Sequence, residues 1–404
     1  MLLRHPQTAL RIAVVTETYP PEINGVARTV GLMVGDLLAR GHQIELIRPR
    51  QPGDDRDPPA AHATGFEELL TAGFRIPNYP ELQIGIVGTQ RLVRAWNTRR
   101  PDIVHVITEG PLGWSALRAA RKLEIPVVSD FHTNFNDYSR HYGFGWIAGL
   151  ITAYLRALHN RCDRTFVPTH EMRERLRAQG FKALSVVGRG IDTELFSPQR
   201  RSVELRSAWQ CGEDALVALY VGRLAAEKNL RLFVQTVRAA RHLRPDLRVV
   251  IVGDGPLGRS LRAENPDFVF AGMRTGEDLA AHYASADLFV FPSLSETFGN
   301  VTMEALASGL AVLAFDYAAA REHIVHGHNG LVAPCDDELA FRRHALRLVG
   351  SAQEVEKLRR RARQTAERLS WSKAFDELEQ SMIKFAAITP GAAPDCAPTA
   401  AATD

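Results

Sequence analysis

Two cationic side chains follow a predicted strand in the second half of the chain. Arg223 and Lys228 lie in the segment VGRLAAEKN, directly after an apolar run at 216–221. Guanidinium and ammonium groups pair with phosphate oxygens, and a helix N-terminus attracts the same anions. The segment, with Gly222 at its turn, therefore predicts a diphosphate site that draws its positive charge from the protein. A solvated basic loop ahead of a surface helix is the alternative.

Two carboxylates follow a second predicted strand. Glu296 and Glu304 stand eight positions apart in SETFGNVTMEALASG, after the apolar run 288–291. Gly299 lets backbone N–H groups approach a ligand closely, and those groups open a helix. The pattern predicts an anion cradle in which Glu296 binds sugar hydroxyls and Glu304 binds a ribose diol. Ordinary capping or surface acids are the alternative, which the basic turn at 222–228 disfavours.

Three less specific segments also follow predicted strands. Asn24 and Gly25 open a helix where a phosphate can sit, but without the GxGxxG fingerprint of a nicotinamide dinucleotide site. His132 follows the strand at 127–128 and is predicted to point into a cleft, with a purely structural histidine as the alternative. Gly253 lies in a strand-end turn that suits a βα connection with or without a ligand.

Aromatic and basic residues are interleaved at 138–146, ahead of an apolar helical pattern at 147–160. Such residues suit a membrane interface, because rings and cationic stems reach both apolar and polar surroundings. We expect a buried helix at 147–160 and a lipid-facing loop before it. The residues expected to face the acceptor or the membrane are Tyr138, Arg140, Tyr142 and Trp146.

Short apolar runs alternate with amphipathic stretches along the chain, which predicts parallel, doubly wound α/β sheets. Ligands bind such sheets beyond the carboxyl ends of the strands, where the residues above lie. One set of strands is predicted at 12–15, 44–47, 103–107, 127–128 and 165–167. A second set is predicted at 216–221, 248–252, 268–271, 288–291, 312–315 and 331–333. Helices are predicted at 27–40, 90–99, 111–123 and 147–160, and throughout 336–387.

The chain has 404 residues, which is too long for one ordinary core and suits two α/β domains. The polar segment 192–206, which carries Pro198, separates the two strand sets. The Pro/Ala-rich C-terminus has no periodicity and is predicted to be disordered. The expected bounds are 1–197 and 198–371 for the domains, 372–388 for a C-terminal helix and 389–404 for the tail.

The composition is that of an average soluble protein, with 45% apolar and 24% charged residues. A net charge of +3 is too small to indicate nucleic-acid binding. The four cysteines form no CxxC pair, so the sequence indicates neither a zinc site nor a disulfide framework. The sequence shows no signal-peptide pattern and no run of transmembrane length, so we expect a cytoplasmic protein.

The basic pair and the two carboxylates together resemble the signature of the retaining family 4 glycosyltransferases of GT-B fold. The resemblance extends from 16–26 through HTNFNDYSRHYG and GRGIDTELFSP to SETFGNVTMEALASG. The last three segments are most similar to bacterial GDP-mannose-dependent α-mannosyltransferases and to sulfolipid-synthase relatives, many of which glycosylate membrane lipids. The resemblance implies two Rossmann-like domains that face each other across a cleft. It also implies that the final helix, 371–387, crosses back to the first domain.

The resemblance implies roles for individual residues. Arg223 and Lys228 bind the diphosphate and stabilise it as it leaves. Glu296 orients the donor sugar, and His132 approaches it. Glu304 binds the ribose. Further donor contacts are expected from Asn24, Gly25, Gly222, Gly253, Phe298, Gly299, Asn300 and Val301, with the backbone of Met273 and Arg274 framing the base.

The expected reaction transfers a hexose, with mannose from GDP-mannose as the first choice, to a hydroxyl of a membrane lipid or glycolipid. Neither a metal nor another cofactor is expected. Asp55 and Asp57 have the DxD spacing of metal-dependent glycosyltransferases, but their Pro-rich polar loop predicts solvated side chains. The expected partners are the nucleotide-sugar donor, a lipid or saccharide acceptor and, by peripheral contact, the inner face of the cytoplasmic membrane.

The leading alternative is a UDP-sugar-dependent glycolipid synthase that transfers glucose, glucuronate or sulfoquinovose. More remote alternatives are a sugar-nucleotide epimerase, which would need acids suited to proton abstraction, and a pyridoxal-dependent phosphorylase, which would need a much longer chain. A non-catalytic nucleotide-sugar-binding protein is the alternative from another class. The intact set of Arg223, Lys228, Glu296 and Glu304 argues against it.

Overall fold

The structure is a computed structural model that describes residues 9–22, 24–51, 54, 64–76, 79–132, 145–212 and 214–388. The described part of the chain forms two separate sheets covered by helices. Several sequence predictions lie outside the described residues. They concern Asp55, Asp57, Tyr138, Arg140, Tyr142 and the tail 389–404.

The first sheet has eight strands in the order β4-β3-β2-β1-β5-β6-β7-β8. They are β1 (Arg11–Val15), β2 (Gln43–Pro49), β3 (Phe66–Ile76), β4 (Tyr79–Ile86), β5 (Ile103–Val106), β6 (Val127–Asp130), β7 (Arg164–Val167) and β8 (Leu184–Val186). The sequence predicts five of them and misses β3, β4 and β8. The prediction of a wholly parallel sheet is wrong at one edge, because β3 and β4 pair antiparallel. Edge strands of this kind are half-exposed and lack the continuous apolar run of a buried strand.

The second sheet has six strands in the order β11-β10-β9-β12-β13-β14, and every pair is parallel. They are β9 (Val217–Val221), β10 (Arg248–Val252), β11 (Val269–Gly272), β12 (Leu288–Phe291), β13 (Ala311–Phe315) and β14 (Leu331–Ala333). Numbered within the sheet, this is the 3-2-1-4-5-6 order of a Rossmann domain. The strand order reverses between β9 and β12, and ligands of such sheets bind at this switch point.

Helices connect the strands on both faces of the sheets. They are α1 (Gly25–Ala39), α2 (Thr89–Thr98), α3 (Pro111–Lys122), α4 (Gly145–His159), α5 (His170–Ala178), α6 (Val203–Ala208), α7 (Leu230–Leu243), α8 (Gly258–Glu264), α9 (Gly276–Ala284), α10 (Asn300–Ala307), α11 (Ala318–His323), α12 (Glu338–Val349), α13 (Ala352–Ala366) and α14 (Trp371–Ile388). The prediction of an uninterrupted helical stretch over 336–387 is wrong. The chain breaks at Gly350, and Ser351 starts α13 by accepting a hydrogen bond from the Glu354 N–H.

The last helix packs against the first sheet, although it follows the second one in the chain. Phe375, Leu378 and Met382 of α14 belong to the same buried cluster as apolar residues of β1 and α1. A buried ion pair joins the same elements, because Arg40 Nη1 lies 2.6 Å from Glu379 Oε2. The domain bounds proposed from the sequence stay predictions, and the boundary at 197/198 falls in the connection between β8 and β9.

A buried charge cluster ties the second sheet to its surrounding helices. Asp287, directly before β12, is 5% exposed and accepts a hydrogen bond from the Val217 N–H at 2.9 Å. Three guanidinium groups surround it: those of Arg206 at 3.4 Å, Arg201 at 3.2 Å and Arg359 at 3.2 Å. Because these side chains come from the interdomain connection, α6 and α13, Asp287 holds three segments at the start of one strand.

Candidate active site

The basic turn, residues 222–228, meets the loop at residues 292–299 at the switch point of the second sheet. The loop is called the carboxylate loop because it carries Glu296. Lys228 ends a 3₁₀ turn (Ala226–Lys228) that follows β9, and Glu296 lies in the loop after β12. Lys228 Nζ donates to Glu296 Oε1 at 2.5 Å and to the Ser295 carbonyl at 3.1 Å. The Ser293 hydroxyl donates to the same Glu296 oxygen at 2.7 Å. The structure thus brings together the cation and the carboxylate that the sequence assigns to the diphosphate and the donor sugar.

The turn that carries Arg223 is shaped by close backbone packing. Gly253, after β10, has φ 129°, and a Cβ atom there would lie 2.0 Å from the Gly222 carbonyl oxygen. Leu224 N–H donates to the Asp254 carbonyl at 2.9 Å, which joins the ends of β9 and β10. A glycine is therefore required at 253 for the β9 turn to lie where it does. Arg223 is half-buried on this turn, next to the switch point.

The N-terminus of α10 opens at the same place. Gly299 precedes it in the left-handed conformation, with φ 95° and ψ 58°, which favours glycine. Two hydrogen bonds from the segment after β13 hold the loop before α10 in place. The Tyr317 hydroxyl donates to the Glu296 carbonyl at 2.7 Å, and the Ala319 N–H donates to the Phe298 carbonyl at 2.7 Å. The first backbone N–H groups of a helix point outward along its axis and attract anions.

The N-terminus of α1, from the first sheet, lies opposite that of α10. Asn24 caps α1, because its side-chain oxygen accepts from the Ala27 N–H at 2.8 Å. A Cβ atom on Gly25 would lie 3.4 Å from the Asn300 side-chain nitrogen, so the two helix starts almost touch. Both helix dipoles present their positive ends to one space, which suits a diphosphate. The Asn24 side chain is committed to its cap.

Glu304 lies in α10, where it is buried and held by two partners. Arg28 Nη1, from α1, donates to Glu304 Oε1 at 2.6 Å, and the Tyr283 hydroxyl donates to Glu304 Oε2 at 3.0 Å. Burial raises the pKa of Glu304, whereas the Arg28 charge and both hydrogen bonds lower it. Neither Arg28 nor Tyr283 was predicted as a site residue. The sequence could have indicated Arg28, because this residue lies one turn inside the helix that follows β1. Side chains of a helix lean towards its N-terminus, which here faces the site.

His132 is buried in a charged cluster at the end of β6. Its Nε2 lies 3.0 Å from Asp130 Oδ2, and its Nδ1 lies 2.8 Å from Arg189 Nη2. An arginine only donates, so Nδ1 accepts and the ring proton sits on Nε2. Burial lowers the pKa of His132, and the Arg189 charge adds to this, which favours the neutral ring. Both ring nitrogens are therefore engaged by the protein, and Asp130 and Arg189 are partners that sequence reasoning missed.

Several contacts join the two halves of the chain around this site. Thr297, in the carboxylate loop, donates its hydroxyl hydrogen bond to the His132 carbonyl at 2.9 Å. The Arg28–Glu304 ion pair joins α1 to α10. At the rim, Arg321 Nη1 of α11 lies 3.2 Å from Glu171 Oε1 of α5. Loops and helices that follow the strands of one sheet therefore contact those that follow the strands of the other.

The remaining predicted residues lie further from the switch point. Met273 and Arg274 follow β11 at the sheet edge, where Met273 is 57% exposed and Arg274 pairs with Asp278 at 3.0 Å. Trp146 belongs to α4, but its side chain lies outside the described part of the structure. Within the described ranges, no three His, Cys, Asp or Glu side chains come together as a metal-binding group. None of the helices in these ranges combines the length and the apolar composition of a membrane-spanning segment.

Comparison with known proteins covers both halves of the chain. The family model described as Glycosyltransferase Family 4 matches residues 23–195, and the model described as Glycosyl transferases group 1 matches residues 215–375. The chain is 34% identical to a GDP-mannose-dependent α-mannosyltransferase of Corynebacterium glutamicum, over 80% of this chain and 76% of the relative. The chain belongs to the family 4 glycosyltransferases.

A further sequence relative and a solved structure extend the comparison for this family 4 glycosyltransferase. A sulfoquinovosyl transferase of Arabidopsis thaliana is 33% identical over 62% of this chain and 49% of its own length. The structure of sucrose-phosphate synthase from Thermosynechococcus elongatus superposes on this chain with a TM-score of 0.75 at 18% sequence identity. The superposition covers 94% of this chain and 100% of the synthase chain. The predicted GT-B fold, with two Rossmann-like domains, is confirmed.

Glu17 makes the N-terminus of α3 different from those of α1 and α10. This buried carboxylate follows β1, accepts a hydrogen bond from the Leu112 N–H at 3.3 Å and is bonded to the Thr108 hydroxyl. It therefore sits at the start of α3, and a Cβ atom on Gly110 would lie 2.0 Å from its Oε1. The start of α3 therefore carries an acidic side chain, whereas the first turns of α1 and α10 carry none.

Glu17 is expected to make stability depend on pH. Burial raises its pKa from 4.5 to about 7, so the folded protein holds this proton more tightly than the unfolded chain does. The resulting stabilisation is complete below pH 4.5 and is lost as the pH rises through about 7, a difference of about 3 kcal/mol. In Glu17→Gln, the free energy of unfolding in urea is expected to lose this component of its pH dependence.

The control for this experiment is Glu356→Gln, because Glu356 is 60% exposed and should follow the wild type at every pH. Urea titrations of the three proteins between about pH 5 and pH 8 give the comparison. The same pH dependence in Glu17→Gln and the wild type would show that Glu17 is ionised in the folded protein.

Proposed function

We propose that this family 4 glycosyltransferase is a retaining enzyme that transfers mannose from GDP-mannose to a hydroxyl of a membrane lipid or glycolipid, without a metal ion. The observation that carries the proposal is the contact between Lys228 and Glu296 at the switch point, opposite the N-terminus of α1. A cation for the leaving group and a carboxylate for the sugar thus stand side by side.

Positive charge for the leaving diphosphate comes from the protein. Lys228 and Arg223 supply full charges, and the N-termini of α1 and α10 supply partial ones. Preorganised groups of this kind stabilise the charge that develops on the phosphate oxygen as the sugar departs. Glu296, neutralised by Lys228, accepts hydrogen bonds from the sugar hydroxyls, which fixes the sugar's orientation over the diphosphate.

The proposed step proceeds on one face of the sugar. The bond between the anomeric carbon and the phosphate oxygen breaks, and the acceptor oxygen forms its new bond from the same side. The acceptor proton passes to the departing phosphate oxygen, so no protein base is required. This arrangement agrees with His132, whose two ring nitrogens are already bonded to Asp130 and Arg189. Contact between the two halves excludes water from the reacting groups.

The choice of mannose and GDP is supported by relatives named as GDP-mannose-dependent α-mannosyltransferases. A UDP-sugar donor is the second candidate, because the plant relative is named for sulfoquinovose transfer. The lipid acceptor is supported by the exposed face of α4, where Leu150 is 66% exposed and Tyr154 lies one turn further on. Arg118 and Arg161 stack on Trp114 beside Tyr154, which gives this face the apolar and cationic groups of a membrane contact.

Thermal unfolding with nucleotides tests the donor. GDP, UDP, ADP and dTDP are added in turn to the purified protein, with EDTA present throughout. A ligand that binds only the folded state at about 100 times its Kd stabilises it by about 2.7 kcal/mol. We expect GDP to give the largest rise in Tm. A larger rise with UDP would replace the mannose proposal by the UDP-sugar candidate, and a rise only after magnesium is added would contradict metal independence.

A further inference from the structure

We propose that Arg28 is a positioning residue for the nucleotide ribose, acting through Glu304, and that it makes donor binding depend on contact between the two halves of the enzyme. The inference rests on the proposed function and on the ribose contact that the sequence and the family resemblance predict for Glu304. Arg28 comes from α1 in the first half, whereas Glu304 belongs to α10 in the second. The ion pair between them therefore exists only when the halves meet.

The Arg28 guanidinium is held against Glu304 and does not extend freely into solvent. Its Nη1 lies 2.6 Å from Glu304 Oε1, and its guanidinium lies 5.2 Å from the centroid of the Phe196 ring. The Arg28 side chain is 39% exposed, whereas the Glu304 side chain is 6% exposed. Phe196 itself is fully buried and packs edge-on against Tyr283. The cation thus lies over a buried aromatic ring and reaches the buried carboxylate.

Glu304 keeps acceptor capacity beside its two partners. A carboxylate offers about four lone-pair sites, and Arg28 and Tyr283 take one on each oxygen. The other sites can accept both hydroxyls of a ribose diol if the carboxylate is ionised and held in one rotamer. Arg28 supplies the opposite charge and Tyr283 the second anchor, so the two together fix the acceptor geometry that the diol requires.

Separation of the halves removes the cation from a buried carboxylate. Glu304 then retains Tyr283 but no neutralising charge, and an unpaired buried carboxylate is costly. Ribose binding and domain contact therefore support each other, because each favours the same ionised, oriented Glu304. Thermodynamic linkage makes this coupling reciprocal, so a nucleotide with its ribose hydroxyls promotes contact more than one without them.

Calorimetric titration with GDP and 2′,3′-dideoxy-GDP tests the proposal, using the full chain. In Arg28→Ala, the Kd for GDP is expected to rise about tenfold, whereas the Kd for the dideoxy analogue changes by about twofold or less. In Arg28→Lys, which keeps the charge, part of the GDP affinity should return. Equal weakening of GDP and the dideoxy analogue in Arg28→Ala would overturn the proposal, because Arg28 would then act on the phosphates or on the fold.

Two further variants distinguish a loss of the ribose contact from a general loss of structure. Tyr283→Phe removes only the hydroxyl that bonds Glu304 and should show the same selective loss for GDP. Arg321→Ala breaks the rim pair with Glu171, another contact between the halves that lies away from Glu304. Because it weakens the contact that the proposal couples to ribose binding, it should also cost more affinity for GDP than for the dideoxy analogue. An equal change for the two ligands in Arg321→Ala would overturn the coupling between domain contact and ribose binding.

The same titrations with UDP and 2′,3′-dideoxy-UDP separate this inference from the choice of donor. A wild type that prefers UDP contradicts the GDP proposal, and the Arg28 comparison is then made on the uridine pair with the same expected outcomes. A wild type that binds both members of each pair equally would show that Glu304 makes no ribose contact, which overturns the inference itself.

Discussion

Replacing Lys228 with alanine is expected to lower kcat by about 10³-fold, the effect of removing one group that stabilises developing charge. Lys228 holds its ammonium group against Glu296 and the Ser295 carbonyl, at the point where the N-termini of α1 and α10 converge. Its loss removes a full charge from the leaving diphosphate and leaves the Glu296 carboxylate next to it. Steady-state kinetics with varied donor should therefore show a large loss in kcat and a weaker donor interaction.

Two variants control this measurement. Lys228→Arg keeps the charge and should retain more activity than the alanine variant, although the planar guanidinium does not reproduce the ammonium geometry. Lys357→Ala removes a lysine from the exposed face of α13 in the same half and should leave kcat unchanged. A Lys228→Ala enzyme with wild-type kcat would contradict charge stabilisation by this residue.

Replacing Asp287 with alanine is expected to destabilise the protein by about 3–5 kcal/mol, the usual cost of removing one partner from a buried ion pair. Arg206 is 1% exposed and would lose the Asp287 carboxylate beside its guanidinium, and the Val217 N–H would lose its acceptor at the first residue of β9. In a domain of this size the Tm should fall by roughly 10 °C. Thermal and urea unfolding of the variant give the measurement.

The matched control is Asp267→Ala in the same half of the chain. Asp267 also accepts from two arginines, Arg238 and Arg241, but it is 40% exposed. Exposed pairs contribute about 1 kcal/mol or less, so this variant should unfold close to the wild type. Equal losses of stability in the two variants would show that burial of the Asp287 cluster has no special cost.

The second domain could be predicted closely because its strands are buried on both faces. Runs such as 216–221 and 288–291 are apolar throughout and end at the residues that carry chemistry. The order of these strands fixes where Lys228 and Glu296 meet, so strand-end position was sufficient to predict their proximity. In the first domain, the half-exposed strands β3 and β4 mix charged, glycine and apolar residues, and no alternation marked them.

The partners of the site residues could not be predicted, because they come from distant parts of the chain. Arg28 meets Glu304 across 276 positions, and Arg189 meets His132 across 57. Each contact depends on how the halves, or the strands within one half, are placed in space. A local pattern shows that a carboxylate or an imidazole follows a strand. It does not show which cation neutralises it.

Product analysis by NMR distinguishes metal-free transfer of mannose with retention from the alternatives. The enzyme is incubated with GDP-α-mannose labelled at the anomeric carbon and with lipid vesicles containing diacylglycerol and glycolipid, in EDTA, and the lipid product is examined by NMR. We expect an α-linked mannosyl lipid. A β-linked product, or transfer that requires a divalent ion, would contradict it.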